Sequence, residues 1–578
     1  MKTINTHKIL VNCTKKQIFI IIILIILMIA ISYLKLKNSL IIVDIIDKVV
    51  PNKDVNLLII LIIKMISISL SLLLLDIFKT FLSTKLGNYI TSSLRRTAFE
   101  CVLNAKYLKI NKYSDSQVMS RITRETGKIG EVYFVNDIVG FFSESIFLLI
   151  VVITMIKIDK KFAIIIFALF PLFYFLAKFI SKISKKNDKE YIEILESGQE
   201  LILTSCKRIK KIKITNGHQK ENEKFNLWLD SLYKHKKKTS ITHSLNRFIM
   251  GDLIINIMYI VIIFIGIWYI IKDFSTITTG ILISFLTIIP KIYSSFRVLL
   301  NVNISSKIIK NSMEKLDEIY SIEPETNIYD GINIDDIYSI EFIDVSFKYG
   351  DGLFEVKKLN FKVEKGEKLG IVGMSGGGKT TLFDLITRII IPNEGQILIN
   401  NIDLNKISLF SLRNNIAYVQ QDLKLFNVSI RDNIIYPLEF DEKNYQKSIE
   451  EAKLNNLIES LPEKDKTKIS NYEDNLSGGE IQRINIANAI YKNAKLFLLD
   501  EITSALDVTN EKDILSKLYK MNDKIMLITS HRIYNILNCD KVIVMNDGKI
   551  IEYGTIKQLR ERKNSTFNNM LKKISDKI

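Results

Sequence analysis

Eight consecutive residues, Gly373-Met374-Ser375-Gly376-Gly377-Gly378-Lys379-Thr380, meet every fixed position of the phosphate-loop pattern G-x-x-x-x-G-K-[ST]. The chemistry of that pattern is polyphosphate capture. Its small residues let backbone N–H groups turn inward on an anion, and the start of the following helix adds about half a positive charge. Lys379 reaches the β and γ phosphates, and Thr380 offers its hydroxyl to Mg²⁺, an ion that takes oxygen ligands. A second group of reactive side chains ends the apolar run Lys495-Leu496-Phe497-Leu498-Leu499-Asp500-Glu501. There Asp500 is suited to the Mg²⁺ shell, and Glu501 to taking a proton from an attacking water. A third ends the run Ile525-Met526-Leu527-Ile528-Thr529-Ser530, where His531 can hydrogen-bond a γ-phosphate and the water.

These groups need elements that present them together. The runs before Gly373, Asp500 and His531 are short, apolar and bounded by polar residues, so each reads as a buried strand. Thr381-Leu382-Phe383-Asp384-Leu385-Ile386 reads as a helix start. Leu476-Ser477-Gly478-Gly479-Glu480 opens a further helix with Ser and two Gly, a second anion-binding helix start. Tyr349, after the strand Ile340 to Val345, is placed to stack on a base. The α/β half that carries all of this follows Tyr338, and the polar stretch Ser321 to Asn327 before it reads as a linker.

The rest of the chain is of another composition. With 48% hydrophobic residues and a mean hydropathy of +0.17 over 578 residues, part of it belongs in a membrane. Apolar stretches at about 18–34, 55–75, 132–156, 162–180, 248–271 and 277–300 predict six spans. Tight turns at Lys157 to Lys161 and around Asp273 alternate with two long polar arms. The arm from Ser181 to Arg247 holds sixteen Lys or Arg against eight Asp or Glu, and Lys2, Lys8, Lys15 and Lys16 precede the first span. Both place the arms and termini on the cytoplasmic side. The net charge of +18 is accounted for by these flanks and by membrane orientation, so no nucleic-acid partner is expected. Cys13, Cys101, Cys206 and Cys539 lack the spacing of a disulfide framework or a zinc site. Lys64 and Lys291 fall deep in spans and read as facing a polar cavity. Asp76, Asp137, Glu144 and Asp252 read as lying on helical extensions beyond the bilayer.

Taken together, the phosphate loop through Thr381, Gln421 in Tyr418-Val419-Gln420-Gln421-Asp422, the Leu476 to Glu480 signature, Asp500-Glu501, Ser504-Ala505-Leu506-Asp507 and His531 resemble the ATP-binding cassette (ABC) transporters, in the exporter-type half-transporters with the membrane domain first. The resemblance covers nearly the whole chain. It implies a six-helix α-helical transmembrane domain (1–325), a linker (326–339), and an α/β P-loop nucleotide-binding domain with a helical subdomain (340–578). It also implies that two cassettes close head to tail, each ATP lying between one phosphate loop and Ser477, Gly478 and Gly479 of the other. By the same resemblance Tyr349 stacks on adenine, Gln421 senses Mg²⁺ and γ-phosphate, and Asp507 links the two sites. The arm ends near Lys109 to Asp115 and Lys213 to Gly217 would be coupling helices.

Departures from the family pattern are Glu480 where Gln is commoner, Asn488 where Arg is usual, Ile502 where Ala is usual, and Lys468 to Asp474 without the glycines often found there. With 17 residues ahead of the first span, the papain-like leader peptidase of some peptide exporters is not expected. The implied activity is ATP-driven export of a peptide or amphipathic compound across a bacterial cytoplasmic membrane, by a homodimer or a heterodimer with a second half-transporter. The alternatives are a lipid or lipid-linked precursor flippase, an exporter-fold importer of metal chelates, and a non-transporting ATP-binding sensor.

Overall fold

The computed structural model describes residues 5–248, 253–272, 278–350, 354–374, 376–420, 424–469, 476–502, 508–530, 532–562 and 565–575. Its internal contacts divide the chain into two compact units, Met1–Leu103 with Ser114–Ser321, and Asn104–Tyr113 with Ile322–Ile578.

The first unit is helical. Among the described residues five helices are long and apolar enough to cross a membrane: Ile18–Asn52, Val55–Leu103, Asp115–Ile158, Ile254–Ile271 and Thr279–Leu299. The remaining expected span, 162–180, lies inside the helix Lys160–Lys207, where most side chains of that stretch are outside the described residues. Ile59, Ile60, Ile63, Ile66, Leu70 and Leu73 are all exposed, a surface suited to lipid rather than water. The inward faces pack through Val151, Met258, Ile262, Ile288, Ile289 and Ile292. Since lipid is as apolar as these side chains, association rests on close fit. Gly87 and Gly130 show that fit, because a Cβ on Gly87 would sit 2.8 Å from the Gly130 carbonyl oxygen.

Two of the spans run on into the arms without a break, so that Val55–Leu103 is one helix of 49 residues and Lys160–Lys207 one of 48. Asp159, extended at φ −152°, makes the whole turn between Ile158 and Lys160. The helix Thr279–Tyr320 passes through Pro290. Two ionisable groups in the spans have local partners. Lys291 is half-buried and donates to Ser39 Oγ at 2.8 Å, while Glu144 accepts from Ser295. Lys64 is exposed on its helix.

The second unit holds two sheets. One is antiparallel, in the order β2-β1-β4-β5, from Ser339–Lys348 (β1), Glu355–Glu364 (β2), Glu394–Ile399 (β4) and Ile402–Asp403 (β5). The other has six strands in the order β10-β9-β3-β8-β7-β6: Lys368–Gly373 (β3), Ile416–Val419 (β6), Leu496–Asp500 (β7), Ile525–Thr529 (β8), Lys541–Asn546 (β9) and Lys549–Thr555 (β10). β9, β3, β8, β7 and β6 are parallel, and β7 and β8 are wholly buried, which explains their unbroken apolar runs. Parallel neighbours end on the same edge. The sheet therefore carries the chain ends at Gly373, Thr529 and Asp500 side by side, with Ile371 and Asp500 each opposite Thr529. A helical subdomain packs Ile430, Ile434, Tyr445, Ile449 and Ile484 into the same core.

Residues 104–113 belong to this second unit although they follow the long helix Val55–Leu103. Ala105 bridges to Pro324, the Lys106 amide donates to Glu323, and the Glu325 amide donates to the Asn104 carbonyl. Beyond Glu325 the chain stays tied down: the Ile332 amide donates to Lys406, and the Leu409 and Phe410 amides donate to Asn327 and Ile328.

Candidate functional site

The phosphate loop leaves β3 at Gly373, where a Cβ would come within 2.4 Å of the Met545 carbonyl oxygen. It ends at Gly378, whose φ of +100° sets the first turn of the helix Lys379–Ile386. That helix has no side-chain cap, so its first N–H groups stay available to an anion. Lys379 is only 6% exposed. Its Nζ donates to the Gly373 carbonyl at 3.0 Å and lies 3.5 Å from Glu501 Oε1.

Thr380 Oγ1 donates to Asp500 Oδ2 at 3.1 Å, and Thr529 Oγ1 donates to Asp500 Oδ1 at 2.7 Å. The Thr529 hydroxyl also accepts from the Glu501 amide at 3.0 Å. Glu501 sits in the left-handed region at φ +51°, a strained setting for a non-glycine residue, and its carbonyl accepts from the buried Gln482 side chain at 3.3 Å. Lys379, Thr380, Asp500 and Glu501 thus converge from β3 and β7, with Thr529 of the intervening β8 holding both acids. Thr380 and Asp500 form an all-oxygen pair, the donor chemistry that Mg²⁺ prefers.

Tyr349 is half-buried, edge-on to Phe347, with its hydroxyl 3.4 Å from Thr381 Oγ1. Asp384, on the outer turn of the phosphate-loop helix, has its carboxyl pushed up to about 6 by burial and by the nearby Asp500. Ser477 caps the helix Gly478–Tyr491 in a reciprocal box: its hydroxyl accepts from the Glu480 amide, and its own amide donates to Glu480 Oε2 at 2.7 Å. Gly478 and Gly479 form the first turn of that helix. Ser375, Gln421, Asp507 and His531 lie outside the described residues. Two positioning side chains escaped the sequence reading. Thr529 had a signal, a hydroxyl residue ending an apolar strand, whereas Gln482 had none.

A fused membrane unit and P-loop nucleotide unit define a membrane transport ATPase. Residues 19–295 match the ABC transporter transmembrane region, residues 356–504 match the ABC transporter family, and residues 442–576 match its P-loop domain. An ATP-dependent lipid A-core flippase from Syntrophus aciditrophicus (strain SB) is 32% identical over 499 residues, 85% of this chain and 81% of that one. A Bacillus subtilis (strain 168) protein, whose name proposes multidrug export, is 30% identical over 459 residues, 77% of each. The structure of a bacterial Atm1-family ABC exporter with ATP bound superposes with a TM-score of 0.82 at 21% identity, covering 97% of this chain and 98% of the other, which shows a shared fold. The chain belongs to the ABC transporters. It is a multi-pass integral membrane protein that couples ATP hydrolysis to export.

Proposed function

We propose that the chain works as a homodimer in a bacterial cytoplasmic membrane, residues 1–325 spanning it, 326–339 joining, and 340–578 binding Mg·ATP in the cytoplasm. The observation that carries the reading is the convergence of Lys379, Thr380, Asp500 and Glu501 at one edge of the parallel sheet. In this account Gly373, Ser375, Gly376, Gly377, Gly378 and Thr381 wrap the phosphates and Tyr349 stacks on adenine. Mg²⁺, held by Thr380, Asp500 and Gln421, would supply charge neutralisation between the phosphates.

Lys379 lies within reach of Glu501 and donates to the Gly373 carbonyl. Phosphate draws the ammonium away, which frees the Glu501 carboxylate to take the proton of the attacking water. His531 holds the γ-phosphate and that water. Ser477, Gly478 and Gly479 of the second copy close the site, with Asp507 linking the pair. Every motif residue is present in this one chain, so two copies suffice.

The cargo is an amphipathic compound. A lipid is the second reading, favoured by the name of the Syntrophus relative. The test is ATPase activity and particle mass in lipid nanodiscs, beside Glu501→Gln. A dimer whose turnover vanishes in the variant while ATP binding persists supports the reading, and stimulation by lipids over soluble amphipaths selects the flippase. A monomer, or a dimer that binds no ATP, overturns the homodimer.

A further inference from the structure

The far end of the phosphate-loop helix is built as carefully as its near end. The helix Lys379–Ile386 is about 12 Å long, so whatever draws its N-terminus toward a phosphate moves its C-terminus too. Thr387 and Arg388 follow, and Arg388 adopts φ +52°, a helix-ending conformation that Gly takes without strain. An arginine there makes sense only through its side chain. The Arg388 residue is 5% exposed, and its guanidinium donates to the carbonyls of Leu404 (2.9 Å), Ile407 (2.6 Å) and Thr326 (2.7 Å).

A second arginine completes the fastening. Arg413 Nε donates to the Thr387 carbonyl at 3.2 Å and Nη2 to the Arg388 carbonyl at 3.3 Å. The same guanidinium makes a bidentate pair with Glu325, at 2.8 and 2.7 Å. Glu325 thus supplies the negative charge beside two cations, one of them buried among neutral carbonyls. Its own amide donates to the Asn104 carbonyl, and the neighbouring Glu323 takes the amide and the ammonium of Lys106, the latter at 2.7 Å. The helix that receives phosphate and the arm tip at 104–106 are therefore joined by an unbroken line of charge-assisted and backbone hydrogen bonds.

We propose that Arg388, Arg413 and Glu325 are positioning residues that report occupancy of the phosphate loop to the arm tip, residues 104–113. The inference rests on the reading of Lys379 to Ile386 as the ATP-receiving helix. It does not need the second copy. Glu325 is the pivotal group, since its carboxylate makes both ion-pair contacts to Arg413 and neutralising it leaves that guanidinium without its charged partner.

The experiment is hydrogen–deuterium exchange of the full chain in nanodiscs, with and without Mg and a non-hydrolysable ATP analogue. Wild type, Glu325→Gln and Glu325→Asp are compared. In wild type the analogue is expected to alter exchange both at 376–388 and at 104–113. In Glu325→Gln the response at 376–388 persists with an ATP KM within about twofold of wild type, while that at 104–113 falls by at least about fivefold. Glu325→Asp, which keeps a carboxylate for Arg413 and leaves the Arg413 bonds to the Thr387 and Arg388 carbonyls intact, retains most of it, which a general loss of structure would not do. An analogue response at 104–113 that is absent in wild type, or unchanged in Glu325→Gln, overturns the proposal. So does a Glu325→Gln protein that loses both responses together. Absence of any response at 376–388 in wild type would instead refute the ATP-site reading.

Discussion

Thr529→Val removes one oxygen from the centre of the site and keeps the shape of the strand. Thr529 is 1% exposed, and its hydroxyl has two partners, donating to Asp500 at 2.7 Å and accepting from the Glu501 amide at 3.0 Å. Its loss leaves a buried carboxylate oxygen without this donor. A hydrogen bond to a charged group is worth about 1.5–3 kcal/mol, and the Glu501 amide keeps only its 3.3 Å contact with the Thr529 carbonyl. The nucleotide unit should lose stability on that scale. Catalysis should suffer more than binding, because Glu501 is held in a strained conformation that this bond helps to fix, whereas the Lys379 contact with the loop is untouched. The expected result is a fall in kcat of about ten- to a hundredfold with ATP KM changed less than about threefold. The assay is steady-state hydrolysis in nanodiscs on protein whose folding is checked by calorimetry. Turnover within twofold of wild type in a folded variant would refute the claim that Thr529 positions the two acids. A rise in KM alone would place its role in binding.

Other outcomes follow from the same geometry. Asp384, ordinarily near 3.8, is raised to about 6, so the folded state holds its proton more tightly than the unfolded chain and stability is lost as pH climbs through that window. Measured by thermal melting in EDTA, Asp384→Asn should match wild type near pH 4, gain over it up to about pH 6, and hold a constant advantage above. An advantage that is flat from pH 4 upward would contradict this. Glu480→Gln keeps a residue able to complete the capping box with Ser477 while removing a negative charge from a helix start that must meet phosphate. ATP KM should fall about two- to fivefold, and Glu480→Ala, which loses the box, should not reproduce the gain.

The phosphate loop, the Asp500-Glu501 pair and the signature were legible because each is a contiguous string of residues in the sequence. Most spans were legible for a similar reason, as uniform apolar runs. The helix limits were not, since the helical arm residues after Leu75 continue the span with no stop signal before Leu103. Residues from 326 onward looked like a tether because they carry no apolar period. They are held by bonds to Arg388, Lys406, Leu409 and Phe410, some 60 to 80 residues away, which no local pattern announces. Thr529 and Gln482 are the same case at the site: ordinary residues until the parallel sheet sets β8 between β3 and β7.

The helix Val55–Leu103 has a mechanical consequence. At 49 residues it is about 73 Å long, and it ends one residue before the segment that Glu323 and Glu325 hold. A rigid rod of that length converts angle into distance with large gain: a tilt of 5° displaces one end against the other by about 6 Å. Displacement on that scale needs no helix to melt and no hydrogen bond along the rod to break.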